Sequence, residues 1–110
     1  SSPESSNTIT GQPPNLKLAA QYNVQLGVSY LQQGDLPRAK QKILLATEQD
    51  PQSVAAWNAM AYYMQNVGDN ASAEKAYQKA LALKPKQGDT LNNYGVFLCQ
   101  QGKPLSLIHI

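Results

Sequence analysis

VAAWNAMAYYMQNVGDNASAEKAYQKALALKPKQ, residues 54–87, carries the clearest pattern in the chain. Its apolar side chains recur every three to four positions both before and after Gly68, which is the spacing that places them on one face of a helix. Gly68-Asp69-Asn70 separates the two runs, because glycine ends a helix readily and aspartate or asparagine caps the next one. Pro85 then blocks continuation of the second helix. This stretch is therefore predicted to form a helix–turn–helix pair.

The same pattern recurs with a period of 34 residues. Glycine, alanine, bulky apolar and proline positions keep this step in the sets Gly34–Gly68–Gly102, Gly27–Ala61–Gly95, Leu26–Met60–Tyr94, Tyr30–Met64–Leu98, Ala39–Ala73, Ile43–Tyr77, Ala46–Ala80 and Pro51–Pro85. A period of this length with this residue order resembles the tetratricopeptide repeat. A plain helical bundle with accidental spacing is the alternative.

The resemblance implies an all-α fold, a tetratricopeptide-repeat solenoid of about two and a half repeats that forms a fragment of a right-handed superhelix. The repeat domain is expected over residues 16–103, and no segment reads as a strand. The predicted repeats cover residues 20–53, 54–87 and, in part, 88–103. The predicted helices cover residues 16–33, 36–49, 53–67, 71–83 and 88–101, with Asn15 as a candidate cap for the first.

Both ends of the chain depart from the repeat. Residues 1–15 are predicted to form a flexible leader, because the single apolar side chain of Ile9 cannot offset the entropy of ordering them. Residues 104–110 contain Pro104, and Leu107 stands where the repeat would have alanine. We expect this tail to be foreign sequence joined to a truncated repeat. A hydrophobic plug that folds back on the domain is the alternative.

The repeat register also predicts the core. Gly27, Ala61 and Gly95 are small where the two helices of a pair should cross, with Ala39 and Ala73 opposite them. Trp57 is expected at the centre of the second repeat, where it fills the space between neighbouring helices, and its truncation to alanine is expected to cost about 3–5 kcal/mol. Without a following helix, the three side chains Leu91, Tyr94 and Leu98 are expected to be partly bare. Cys99 is expected to be a small packing residue.

Composition excludes several classes of function. The chain has 110 residues, of which 42% are hydrophobic and only 15% charged, and it is rich in amides, with 13 Gln and 8 Asn. One cysteine and one histidine exclude an internal disulfide and a structural zinc site. With no acid–base pair or phosphate loop, we predict neither enzymatic activity nor a cofactor. A net charge of +2 gives no reason to expect nucleic-acid binding.

Two stretches point to a narrower family. They are YLQQGDLPRAKQKILLA, residues 30–46, and LNNYGVFLCQQG, residues 91–102. Together they resemble the type IV pilus biogenesis and stability lipoproteins, the pilotins of the PilF/PilW type. That resemblance implies a six-repeat solenoid, lipid-anchored at the periplasmic face of the outer membrane, which helps pilus secretin subunits to localise and to assemble into a multimer. The lipid-bearing cysteine is absent from this chain, which we expect to derive from a longer precursor.

In this architecture the first helices of the repeats line a concave groove, at positions 2, 5, 9 and 12 of each repeat. These positions are Gln21, Val24, Val28 and Leu31, then Ala55, Asn58, Tyr62 and Gln65, then Asp89, Asn92, Val96 and Cys99. The predicted partner-binding residues are Asn58, Tyr62, Gln65, Asn92 and Val96, because amides bond peptide backbones and Tyr62 offers an amphipathic anchor.

Several of these positions admit a structural role. Val24, Val28 and Leu31 could instead pack against a preceding helix, and Asn92 could be structural rather than partner-binding. A structural role is favoured for Asn93, as a satisfied amide between repeats. None of the predicted groove positions is a Lys or Arg.

The second helices and their ends carry the cations Lys40, Lys42, Lys75, Lys79, Lys84 and Lys86. A solvated convex face is expected there, with contact to anionic lipid as the alternative.

The favoured function is a monomeric scaffold that binds secretin subunits through the groove, and whose only membrane contact is a lipid anchor outside this chain. One alternative is a cytoplasmic adaptor of another pathway that shares the fold without the partner. A repeat segment of a larger enzyme is a further alternative.

Overall fold

The computed structural model describes residues 15–103 as five α-helices joined by short turns. They are α1 (Leu16–Gln32), α2 (Leu36–Gln49), α3 (Val54–Asn66), α4 (Asn70–Leu83) and α5 (Gly88–Gln100). All five helices predicted from the sequence are present, with bounds within one residue of those expected, and residues 15–103 contain no strand. Residues 1–14 of the predicted leader and the predicted foreign tail, 104–110, lie outside the described residues.

The helices pack as a repeating series. α1 packs along α2 and α3 packs along α4, which gives two helix–turn–helix pairs. The pairs are joined through α2–α3 and α1–α3 contacts, and α5 continues the series against α4 and α3. The first helices of successive repeats, α1, α3 and α5, are therefore neighbours in space.

The turn within each helix pair contains the predicted glycine and the predicted aspartate cap. Gly34 and Gly68 have φ angles of +80° and +82°, a left-handed conformation that glycine adopts without steric cost. Asp35 then caps α2 by accepting a hydrogen bond from the Arg38 amide at 3.2 Å. Asp69 caps α4 in the same way through the Ser72 amide at 3.1 Å. Hydrogen bonds from the Ser72 hydroxyl and amide lower the pKa of Asp69, because they stabilise its charged form.

The predicted cap of α1 differs from these. Asn15 does occupy the position before α1, but its side chain makes no capping hydrogen bond and its backbone is already helical. The sequence therefore located the start of the helix correctly while assigning it a cap that the local backbone does not allow.

The helices of a pair cross closely at the eighth position of the repeat, as predicted. A Cβ atom placed on Gly27 would lie 2.5 Å from Cγ1 of Ile43 on α2. In the second repeat, Ala61 occupies this position and is completely buried. The residue that faces Gly27 is Ile43, while Ala39, the expected opposing residue, approaches only with its carbonyl oxygen at 3.4 Å.

A cluster of aromatic side chains joins the second repeat to α5. The rings of Tyr77 and Tyr94 stack with centroids 5.2 Å apart, and Phe97 packs on Tyr77 at 5.5 Å. Tyr94 and Leu98 are 4% and 1% exposed, so the expectation that both would be partly bare is wrong. They point back into the chain because α4 and α3 already provide the surface they need. Leu91 is partly buried, as expected.

Trp57 does not fill the space between the helices of the second repeat as a buried side chain. Its side chain is only partly buried and packs against the edge of the main cluster. The indole Nε1 donates a hydrogen bond to the Pro51 carbonyl at 2.8 Å, and the Lys79 ammonium lies 5.9 Å from the ring centroid. An indole that bonds a surface turn has to keep one edge near solvent, which explains the difference from the expectation.

The close crossing at Gly27 makes a testable prediction. Gly27→Ala should lower the free energy of unfolding by about 1–3 kcal/mol, because the new methyl group overpacks Ile43 even though alanine favours the helix. Gly88→Ala is the matched control, since no atom lies within 4 Å of a Cβ there, and its stability should change by less than about 0.5 kcal/mol. Urea denaturation of both variants measures the difference. Equal effects would contradict the crossing.

A second prediction ranks two aromatic residues. Phe97→Ala should cost about 3–5 kcal/mol, because Phe97 is 1% exposed in a packed aromatic cluster. Trp57→Ala should cost less, because part of that side chain already contacts water. Denaturant melts of the two variants decide the order, and a larger loss for Trp57→Ala would restore the original expectation.

Candidate functional site

A groove with a volume of about 630 Å³ lies along the first helices of the repeats. We call it the first-helix groove. It draws residues from α1, α3 and α5 and from the turns that lead into α3 and α5. The lining residues are Gln21, Val28, Asp50, Gln52, Ser53, Val54, Ala55, Asn58, Ala59, Tyr62, Lys84, Gln87, Asp89, Asn92 and Asn93.

Tyr62 is the large aromatic side chain of this groove. It is 47% exposed, whereas its neighbours Ala61 and Tyr63 are buried. Successive residues of a helix point about 100° apart, so burial of Ala61 at the helix crossing turns Tyr62 toward the groove. The predicted anchor is therefore available to a partner.

Asn58 lines the groove but is already engaged. Its Nδ2 donates to Oγ1 of Thr90 on α5 at 2.8 Å, and Thr90 is completely buried. Its Oδ1 is buried and accepts no hydrogen bond from the described residues. Asn58 thus bridges α3 and α5, and its amide fixes the spacing between two walls of the groove.

Gln65 is also engaged, and it does not line the groove. Its Oε1 accepts a short hydrogen bond from the hydroxyl of Tyr77 on α4. Its Nε2 lies 3.5 Å from Oε1 of Gln100 on α5. Burial, and secondarily the nearby Tyr62, raises the pKa of Tyr77 to about 12. A side chain held by two neighbours has little freedom to meet a partner.

The predicted residues of α5 divide between two surfaces. Asn92 is exposed and lines both the groove, beside Asn93, and the adjacent apolar surface. Asn93 is exposed as well, so the expected buried role for it is wrong, and the bridging amide between repeats is Asn58 instead. Val96 is 51% exposed but lies on an adjacent apolar surface together with Cys99, outside the groove.

The other predicted groove positions also lie partly in the groove and partly elsewhere. Gln21, Val28, Ala55 and Asp89 line the groove as expected. Leu31 is buried in the core of the chain itself, and Val24 packs against that core. Cys99 is exposed, which corrects its expected role as a packing residue.

Sequence reasoning missed the contribution of the turns. Asp50 and Lys84 follow α2 and α4, and both line the groove beside Asp89. Counting positions along helices gave a groove without cations, yet Lys84 provides one. The proline-containing turns 50–53 and 84–87 could have indicated these groove residues. A turn at the end of one helix pair must lie beside the start of the first helix of the next pair.

The described residues offer neither a metal site nor a membrane span. No group of three or more His, Cys, Asp or Glu side chains in residues 15–103 could hold a metal ion. None of the five helices has both the length and the apolar content needed to cross a bilayer. The groove exposes amides, one tyrosine, a few charged groups and small apolar side chains.

Comparison with known proteins identifies the class. A family model described as the tetratricopeptide repeat matches residues 24–86, which is more than half of the chain. The chain therefore belongs to the tetratricopeptide-repeat family, a protein-interaction fold, as the 34-residue period predicted.

The chain is also similar to individual proteins of this family. The chain is 41% identical over 78 residues to the type IV pilus assembly protein PilF of Pseudomonas aeruginosa, covering 71% of this chain and 31% of that protein. It is 39% identical over 89 residues to an uncharacterized protein of Haemophilus influenzae, covering 81% of this chain and 50% of that protein. A solved structure of Pseudomonas aeruginosa PilF superposes with a TM-score of 0.77 at 38% identity, over 80% of this chain and 40% of the other. The chain thus spans half or less of the length of these relatives.

The burial of Tyr77 makes a prediction in alkaline solution. Tyr77 should ionise near pH 12, about two pH units above a free tyrosine. Because its pKa is raised in the folded state, its contribution to stability is complete below about pH 10 and is lost as pH rises toward 12. Absorbance at 295 nm measures the ionisation. In Tyr77→Phe the step near pH 12 should vanish, although burial also raises the pKa of Tyr94, and an unchanged titration would contradict the assignment.

Proposed function

We propose that this chain is part of a scaffold of type IV pilus biogenesis that assists the localisation of the outer-membrane secretin and its assembly into a multimer. The observation that carries the proposal is the 41% identity to PilF, together with the similarity to the PilF structure. The motifs in residues 30–46 and 91–102 add the resemblance to pilotins. By that resemblance, the protein would act at the periplasmic face of the outer membrane, held there by a lipid anchor outside this chain.

The first-helix groove is the surface we propose for secretin contact. Tyr62, Asn92 and Asn93 are exposed there, and the predicted binding residue Asn58 forms part of the wall. Amide side chains can pair with the N–H and C=O groups of an extended peptide, while an aromatic ring supplies apolar contact at little entropic cost. Such a surface would recognise a mostly uncharged segment of the partner.

Of the five proposed binding residues, Tyr62 and Asn92 remain the strongest candidates. Gln65 would contribute only by holding α3 against α4, since its oxygen already accepts the hydroxyl of the buried Tyr77. Val96 would contribute only at the border of the groove, because it lies on the adjacent apolar surface.

Tyr62→Ala should weaken binding to purified pilus secretin subunits by about 1–2 kcal/mol, a loss of roughly 5- to 30-fold in affinity. The stability of the protein should scarcely change, because the ring is 47% exposed. Titration calorimetry measures the affinity, and formation of the secretin multimer in cells gives the functional readout. Few ion pairs are expected at this interface, so the affinity should fall only weakly between low and physiological salt.

Tyr22→Ala is the matched control, since Tyr22 is a tyrosine of α1 that is 62% exposed and does not line the groove. It should leave secretin binding unchanged. Normal binding by folded Tyr62→Ala protein would remove the groove from consideration. The convex face, which carries the exposed Lys40, Lys75 and Lys79, would then be the surface to test.

A further inference from the structure

A polar pair of side chains joins α3 to α5 at the first-helix groove. Asn58 Nδ2 donates to Oγ1 of Thr90 at 2.8 Å, and Thr90 is completely buried. Asn58 lies at position 5 of the second repeat, and Thr90 lies at position 3 of the third. Because Thr90 has no exposed surface, it cannot itself touch a partner in the groove. Any effect of Thr90 on binding therefore has to act through the position of its neighbours.

The equivalent junction between the first and second repeats is apolar. Positions 5 and 3 are there occupied by Val24 and Ala56. Ala56 is completely buried, and Val24 packs against the small cluster of side chains that contains it. One junction of this chain is thus closed by apolar side chains alone, so the amide and the hydroxyl at the other junction are not required by the fold.

The polar junction also carries an energetic cost. Oδ1 of Asn58 is buried and accepts no hydrogen bond from the described residues. An unsatisfied buried acceptor destabilises a protein, and an apolar pair of similar shape avoids that loss. What the polar pair adds is direction. A hydrogen bond weakens steeply when its distance and angle change, whereas apolar contacts are non-directional and allow one helix to slide on another.

We propose that Asn58 and Thr90 are a positioning pair, which holds the α5 wall of the first-helix groove in register with the α3 wall before a partner binds. The exposed side chains that this register aligns are Tyr62 on α3 and Asn92 on α5. Tyr62 follows Asn58 by about one helical turn, and Asn92 follows Thr90 by two residues. The inference rests on the proposed groove contact, and it gives Asn58 an indirect role in place of the direct one predicted from the sequence.

A groove that is already ordered loses less entropy when its ligand binds. Loss of the hydrogen bond between Asn58 and Thr90 should therefore lower the affinity for a partner, although no contact to that partner is removed. Lower stability alone cannot produce this result. A variant that is less stable but still almost entirely folded offers nearly the same fraction of binding-competent molecules.

The first measurement is hydrogen–deuterium exchange of the 110-residue chain without a partner. In Thr90→Val, which keeps the shape of the side chain and loses the hydroxyl, the backbone amides of residues 92–96 should exchange at least about threefold faster. Gln49→Leu is the matched control. It removes a hydrogen bond of the same length, from Asn23 of α1, that joins helices of one repeat rather than two walls of the groove. Exchange in α5 should not respond to it.

The second measurement is calorimetric titration with purified pilus secretin subunits. Thr90→Val should weaken binding about three- to tenfold. Thr90→Ser, which keeps the hydroxyl, should bind as the unchanged chain does, and so should Gln49→Leu. When Asn92→Ala is already present, Thr90→Val should lose most of its effect, because the side chain that it displaces is gone.

Transfer of the apolar junction separates position from stability. The double variant Asn58→Val with Thr90→Ala copies the pair formed by Val24 and Ala56 into the junction between α3 and α5. Its midpoint of urea denaturation should stay the same or rise, because no buried acceptor is left unsatisfied. Its affinity for secretin should nevertheless fall at least as far as that of Thr90→Val.

Exchange in α5 that Thr90→Val leaves unchanged, or that Gln49→Leu accelerates equally, would overturn the proposal. Weakened secretin binding by Tyr62→Ala beside normal binding by Thr90→Val would overturn it while keeping the groove as the contact surface. Normal binding by both variants would overturn it together with the assignment of the groove.

Discussion

The structure depends on the close crossing of two helices at the eighth position of each repeat. At Gly27 even one added carbon atom would lie 2.5 Å from the Ile43 side chain. That approach is what allows α2 to lie along α1 and bury its apolar side. It also fixes the rotation of each first helix about its own axis. Once Ala61 is turned to the crossing, Tyr62 has to face the groove, so the packing constraint and the candidate site have one cause.

Amides rather than ions set the relative positions of the helices. Asn23 joins α1 to α2, and Asn58 joins α3 to α5, each through a hydrogen bond of 2.8 Å. The ion pairs among residues 15–103, Arg38–Asp35 and Lys103–Glu74, are largely exposed and contribute little. Directional hydrogen bonds within and between repeats keep the walls of the groove in register.

The sequence predicted the features that depend on local chemistry. The helices, the left-handed Gly34 and Gly68 and the aspartate caps follow from residues a few positions apart, and the 34-residue period fixed which helices pair. Prediction from the sequence failed where a side chain could face either solvent or a neighbouring helix. Tyr94 and Leu98 were expected to be bare, yet they pack on α4. Asn58 and Gln65 were expected to face a partner, but contacts to Thr90 and Tyr77, remote in sequence, hold them. Neither the period nor the residue type carries that information.

The groove and the adjacent apolar surface meet on α5. Asn92 lines both of them, whereas Gly95, less than one helical turn away, lines the apolar surface alone. The helix packs against α4 and α3, but its far side has no cover among the described residues. The Asn58–Thr90 hydrogen bond ties α5 to α3 and thereby holds Asn92 in place relative to Tyr62. Because ordering a groove before its ligand arrives reduces the entropy lost on binding, this bridge would strengthen recognition in the groove without adding a contact there.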